Sequence, residues 1–224
     1  MNFRISRLLA PAVLLLLFCA LPAVADTISG CATCNGASFT LTYNPTPVAS
    51  DATSQTYSMF YTINVLGFNA APTGSSIYVK AIGVKPSSNI LDPSTLASAP
   101  GGVSNWSNPL ITGSLSANAC TDNSGNAFAC AQANSLGSFN RFVVGNSGTF
   151  TWNLFIRVGS GTFTTADSIK AEFDDANGNK VGSLLSQNIT ASIAPVPVPE
   201  PASVTMFGTA LIGAGAFFRR RLLR

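Results

Sequence analysis

The sequence predicts an all-β fold: an antiparallel β-sandwich core, with an N-terminal signal peptide and one C-terminal transmembrane helix. Three observations lead there. Apolar and polar residues alternate with period two in several segments, as they do in strands with one buried face. An Asn-Gly pair, the strongest two-residue hairpin signal, lies between two such runs. No stretch between the two ends shows an apolar period of 3.6 residues.

The strands follow in chain order. Phe39, Leu41 and Tyr43 share one face, with Ser38, Thr40 and Thr42 on the other. Tyr57, Met59, Tyr61, Ile63 and Val65 line a longer run, and Ile77, Val79 and Ala81 repeat the pattern. The cleanest case sets Phe150, Trp152, Leu154, Ile156 and Val158 against Thr149, Thr151, Asn153 and Arg157. Ile169, Ala171 and Phe173 come next, then Ile189, Ala191 and Ile193. β-Branched and aromatic residues reinforce each run, and facing two such sheets buries their apolar sides. At Asn177-Gly178 the chain turns; Lys170, Glu172 and Asp174 are expected on a solvated strand face leading into that turn. A calcium loop of EF-hand type does not fit there, since Phe173 would occupy the first ligand position. A calcium site of another kind stays open.

Between 86 and 138 the periodicity fades. Pro86, Pro93, Pro100 and Pro109 punctuate a Ser/Asn/Gly-rich stretch with Trp106 and a short strand expected at 110–115. So long an excursion reads as functional or mobile loops.

Composition excludes much chemistry. Only 9% of the 224 residues are charged and there is no histidine, which removes Ser-His-Asp and Cys-His nucleophiles, His-ligated zinc and imidazole bases. The net charge of +3 belongs to the ends: from 26 to 198 there are six Lys or Arg against eight Asp or Glu, near −2. That balance argues against a nucleic-acid partner. Scattered acids leave only a carboxylate-pair glycosidase open, and nothing places two of them in one cleft. The expectation is a chain without catalytic residues, cofactor or metal.

The ends carry targeting signals. Arg4 and Arg7 precede an apolar stretch at 8–21, and Ala23-Val24-Ala25 supplies a cleavage pattern, so signal peptidase is expected to cut after Ala25. Phe18 before Cys19 argues against lipidation. Export would leave Cys31, Cys34, Cys120 and Cys130; an even number in an oxidising compartment predicts two disulfides, with three connectivities possible. Cys31 with Cys34 and Cys120 with Cys130 is favoured. The Cys-x-x-Cys spacing also admits redox and metal readings, but Asn35 stands where c-type haem attachment needs histidine. Residues 195–201 alternate proline with Val196, Val198 and Glu200, an extended spacer. Residues 202–218 are uncharged and long enough to reach about 25 Å as a helix. Arg219, Arg220 and Arg221 then form a basic stop, with 219–224 on the cytoplasmic side.

Pro199-Glu200-Pro201, the apolar segment and the arginine cluster together resemble the PEP-CTERM sorting tail of Gram-negative bacteria. The resemblance is confined to that end. It implies recognition by exosortase, a membrane-embedded enzyme that cuts near the Pro-Glu-Pro motif. The implied route is export, a single-pass inner-membrane precursor, then the cell surface or extracellular matrix.

The domain plan is therefore a signal peptide at 1–25, an extracytoplasmic β-sandwich at 26–194, a Pro-rich linker at 195–201, the helix at 202–218 and a basic tail at 219–224. Two functions fit it. One is a non-catalytic envelope or matrix protein; the other is a carbohydrate-binding or adhesion module, with extracellular polysaccharide as partner and exposed aromatics such as Trp106 and Tyr78 as stacking surfaces. Thr-x-Thr pairs at 40–42, 149–151 and 162–164 raise an ice-binding face, although any solvent face of a strand looks the same. Asn105-Trp106-Ser107 and Asn188-Ile189-Thr190 match the glycosylation sequon.

Overall fold

The computed structural model describes residues 26–86, 89–116, 119–122, 128–159 and 166–193. Their strands are, in chain order, β1 (Thr27–Ile28), β2 (Ser38–Tyr43), β3 (Ala49–Ser50), β4 (Ser54–Asn64), β5 (Ser76–Pro86), β6 (Ile90–Ser98) and β7 (Ile111–Ser116). There follow β8 (Ala119–Asp122), β9 (Phe128–Gln132), β10 (Arg141–Val143), β11 (Thr149–Gly159), β12 (Ala166–Asp175), β13 (Lys180–Thr190) and β14 (Ser192–Ile193). They form two sheets. The first runs β1-β2-β4-β11-β6, with β3 on β4 and β14 on β2; the second runs β13-β12-β5-β9-β7-β8, with β10 on β5. Pairing is antiparallel except between β14 and β2.

The inner faces meet in one core. Phe39, Leu41, Met59, Tyr61, Ile63, Trp152, Leu154 and Ile156 from the first sheet are fully buried, as are Ile77, Val79, Ile82, Ile169 and Phe173 from the second. The period-two pattern places all of these inward except Ile82. It expects Ala81 there instead, but a register shift between β12 and β5 turns Ala81 to the outer side, against Leu115 and Cys130, and brings Ile82 into the core. The Tyr61 hydroxyl crosses between the sheets and donates to the Lys170 carbonyl at 3.2 Å, and burial pushes its phenol well above the ordinary value. Trp152 meets Trp106 edge-on at 5.2 Å, a favoured geometry for aromatic pairs. Gly36, at a φ of 76°, lies against Gly67 so closely that a Cβ there would sit 1.9 Å from the Gly67 carbonyl oxygen. Only glycine fits.

The described part of 86–138 is more than loop: the strand expected at 110–115 is present as β7, and three others that were not expected accompany it. It holds β6, β7, β8 and β9, and Trp106 is 2% exposed. β6 escapes the alternation rule because it contains Pro93 and its register with β11 shifts twice. An edge strand tolerates proline because one side needs no ladder donor. The expected solvated face of β12 is also corrected, for Glu172 and Asp174 are each 4% exposed. β12 lies between β13 and β5, and Leu115 of β7 reaches over its outer side, where the Lys170 ammonium donates to the Leu115 carbonyl at 3.2 Å. Burial raises the Asp174 carboxyl above its ordinary value, with Lys80 working against that rise.

Among the described residues no helix is long and apolar enough to cross a membrane. The helix expected at 202–218 lies outside them, as do Ala25, Pro199, Glu200, Pro201, Arg219, Arg220 and Arg221.

Candidate functional site

Both disulfides are present: Cys31 with Cys34, Cα atoms 5.0 Å apart, and Cys120 with Cys130, 5.8 Å apart. Cys31–Cys34 closes a tight turn in which the Cys34 amide donates to the Cys31 carbonyl and Ala37 to the Cys34 carbonyl. Cys34 is wholly buried, the environment of a structural bridge rather than an attacking thiolate. Cys120–Cys130 ties β8 to β9. These strands flank β7, so the bridge pins the β7–β8 hairpin where Leu115 packs on Ala81 and Cys130 as a second small core outside β5.

A cleft of about 650 Å³ lies on the outer side of the second sheet. Its lining includes Lys85, Phe128, Ser168, Lys170, Ser186 and Asn188, with Asp26 and Asp167 also on its wall. Strand register explains the grouping. Lys85, Ser168 and Asn188 are paired across β5, β12 and β13, and Lys170 lies opposite Gly83. Gly83 offers no side chain, so Phe128 of β9 comes down on it; a Cβ there would stand 3.4 Å from the ring. Both ammonium groups hang over this ring, Lys170 at 4.5 Å and Lys85 at 5.9 Å from its centre. Cation–π attraction holds them there despite their mutual repulsion. Burial, then the charge of Lys85, push the Lys170 ammonium below its usual pKa. Arg157 and Asp51 form an ion pair at 3.1 Å, away from the cleft.

The remaining candidates resolve plainly. Trp106 is no stacking platform, because its indole N–H donates to the Pro100 carbonyl at 2.9 Å and its ring packs on Trp152 and Phe139. Tyr78 is half-buried. Asp175 caps the 175–179 turn, its carboxylate accepting from the amides of Asn177 and Asn179 and from the Asn179 side chain. Its oxygens are thus committed to the turn, and those bonds, with Asn179 foremost, lower its pKa. Among the described residues no three of His, Cys, Asp or Glu gather as a metal site would require. Thr40, Thr62 and Thr151 do fall in register on the outer side of the first sheet, the last two hydroxyls 3.1 Å apart. The lysine cleft had no local signature in the sequence, since Lys85, Phe128 and Lys170 are distant along the chain. Its one hint was an aromatic residue, Phe128, in an otherwise small and polar stretch.

The tail answers to a known pattern. Residues 197–221 match the family model of the PEP-CTERM protein-sorting motif. The chain carries a PEP-CTERM sorting motif. The match spans Pro199-Glu200-Pro201, the apolar segment and all three consecutive arginines, and does not extend into the sandwich. No curated protein matches the chain. Among solved structures, it is similar to a Corynebacterium diphtheriae protein described as membrane anchored, at 12% identity and a TM-score of 0.34. That alignment covers 79% of this chain and 39% of the other, so the chain spans well under half of that protein. So low a score adds nothing to the fold, which rests on the strand pairing above.

Proposed function

We propose that this is a non-catalytic exported protein of the cell envelope or extracellular matrix, sorted by exosortase through its PEP-CTERM tail. The match at 197–221 carries this reading. Signal peptidase cuts after Ala25, residues 202–218 hold the precursor in the inner membrane with 219–224 in the cytoplasm, and exosortase cuts near Pro199–Pro201. Two disulfides suit the oxidising side of that membrane. The lack of histidine and the commitment of Asp51 and Asp175 to turn hydrogen bonds support a role without catalysis.

Intact mass of the protein from the envelope and medium of its host tests the route. The expected species lacks 1–25 and the tail beyond the 199–201 region, and is lighter by four hydrogens for the two bridges. In a Glu200→Ala variant the uncut precursor should accumulate in the membrane. Recovery of a chain that still ends in Arg224 would overturn sorting by cleavage. A carbohydrate-binding role through Trp106 lacks its platform, since that ring is buried.

A further inference from the structure

We propose that the outer face of the first sheet binds a neutral, extended polysaccharide, laid along a row of threonines that crosses four strands beside two phenylalanine rings. The inference concerns the folded domain and stands or falls apart from the cutting of the tail by exosortase.

Register builds the row. Thr27 of β1 pairs with Thr40 of β2, Thr40 with Thr62 of β4, and Thr62 with Thr151 of β11. Neighbouring strands lie about 4.8 Å apart, so four threonines in line span about 14 Å, room for a short run of sugar units. All four are exposed or half-buried. The Thr62 and Thr151 hydroxyls share one hydrogen bond at 3.1 Å, which leaves the pair with a further donor and several lone pairs for an incoming hydroxyl. Threonine is stiff at χ1, so ordering these hydroxyls on binding costs little.

Two rings complete the face. Phe60 and Phe155 are half-buried on the outer side of β4 and β11, where the alternation expects polar residues. They are diagonal neighbours, since Phe60 pairs with Asn153 and Phe155 with Ser58. An aromatic ring offers its face to the C–H side of a sugar, the contact first expected of Trp106. Charge decides between a neutral polymer and an acidic one. No residue of β2 or β4 is charged, and none of β11 over 149–155. A carboxylate or phosphate set on this face would be desolvated with no counter-charge, whereas sugar hydroxyls meet partners of their own kind. A line of contacts suits an extended β-linked chain better than a coiled one.

Affinity electrophoresis of the disulfide-bonded protein recovered from its host provides the test. The gels contain hydroxyethylcellulose or β-1,4-glucomannan, with dextran as the coiled neutral control and polygalacturonate as the acidic one. Retardation is expected in at least one β-linked gel and in neither control, and it should not fall as salt rises, because no ion contact is screened. Thr62→Val and Thr151→Val together should weaken retention about tenfold, through the hydrogen bonds they remove. Phe155→Ala should weaken it as well, and Thr190→Val, an exposed threonine of the second sheet, should leave it whole. A thermal melt of each variant separates lost binding from lost folding, and the comparison of gels with the unaltered protein needs no variant. Absence of retardation in both β-linked gels, equal retardation in dextran or polygalacturonate, or full retention by the double threonine variant would each overturn the proposal. So would a dimer in sedimentation equilibrium that the double variant dissociates, which would give the face to a second copy of this chain.

Discussion

The two sheets are built from the same kind of strand yet bury their residues differently. In the first, β11 alternates without exception, with Phe150, Trp152, Leu154, Ile156 and Val158 buried and the residues between them more open. In the second, β5 begins with the same alternation and then buries Ala81, Ile82, Gly83 and Val84 in succession. The difference is the β7–β8 hairpin. Stapled by Cys120–Cys130, it puts Leu115 over the outer side of β5 and gives that sheet two covered faces. One-sided strands make hydroxyl-rich outer surfaces. Two-sided strands make room for buried charge and for a cleft.

The shared inner core should yield the largest effect. Trp152 is wholly buried with no hydrogen bond from its indole nitrogen among the described residues, so Trp152→Ala should cost about 3–5 kcal/mol through lost burial and a cavity. Trp152→Phe should cost less than Trp106→Phe, because only Trp106 gives up an indole hydrogen bond, to Pro100, worth about 1 kcal/mol. Urea unfolding of the disulfide-bonded domain measures both. Equal losses for the two Phe variants would mean that the Pro100 contact contributes nothing.

The second sheet's outer cover comes next. Replacing Cys120 and Cys130 by alanine should cost about 2–3 kcal/mol by the loop-closure argument, and the same change at Cys31 and Cys34, which closes a shorter loop, about 2 kcal/mol. Leu115→Ala should cost about 2 kcal/mol, whereas Thr151→Ala, on the exposed outer side of the first sheet, should stay within about 0.5 kcal/mol. If Leu115 and Thr151 prove equally tolerant, the hairpin is no second core and the contrast between the sheets fails.

The same contrast explains what could be read from the sequence. β2, β4 and β11 are legible because one face meets the core and the other meets water, so each residue's polarity reports its side. β6 is not, because Pro93 and two register shifts break the period. β8 and β9 are not, because Cys120, Phe128 and Cys130 are separated by small residues whose burial polarity does not report. Glu172 and Asp174 misled for a related reason. A charged residue on the far side of a strand signals solvent only if nothing else covers that side, and at Glu172 Leu115, more than fifty residues away, lies on that side. The disulfide pairing was favoured from spacing alone, while the lysine cleft needed three strands to be brought together. The sorting tail lies at the other extreme: its motif, apolar run and arginines are contiguous, and contiguity is what sequence shows best.

The smallest effect belongs to the edge of the first sheet, where a charged cluster replaces a hydrophobic cover. Arg157 of β11 donates to Asp51 at 3.1 Å, to Ser54 at 2.9 Å and to the Asp92 carbonyl at 3.0 Å, joining β11 to β6 and to the turn before β4. Hydrogen bonds from Ser54, then Thr53, hold the Asp51 carboxyl far below its ordinary value of 3.8. A carboxyl whose pKa is lowered by folding adds stability above its unfolded pKa and loses it as pH falls through the folded one. Asp51 should therefore stabilise the domain fully at neutral pH and progressively less below about pH 4. Asp51 is exposed and solvent screens the pair, so the effect is modest. Asp51→Asn should lower the unfolding midpoint slightly at pH 7, and the gap to the unaltered protein should close as the pH approaches 2. A gap that widened in acid would show that the cluster stabilises through something other than the Asp51 charge, and the first sheet's edge would then be held, like the second sheet's face, by packing.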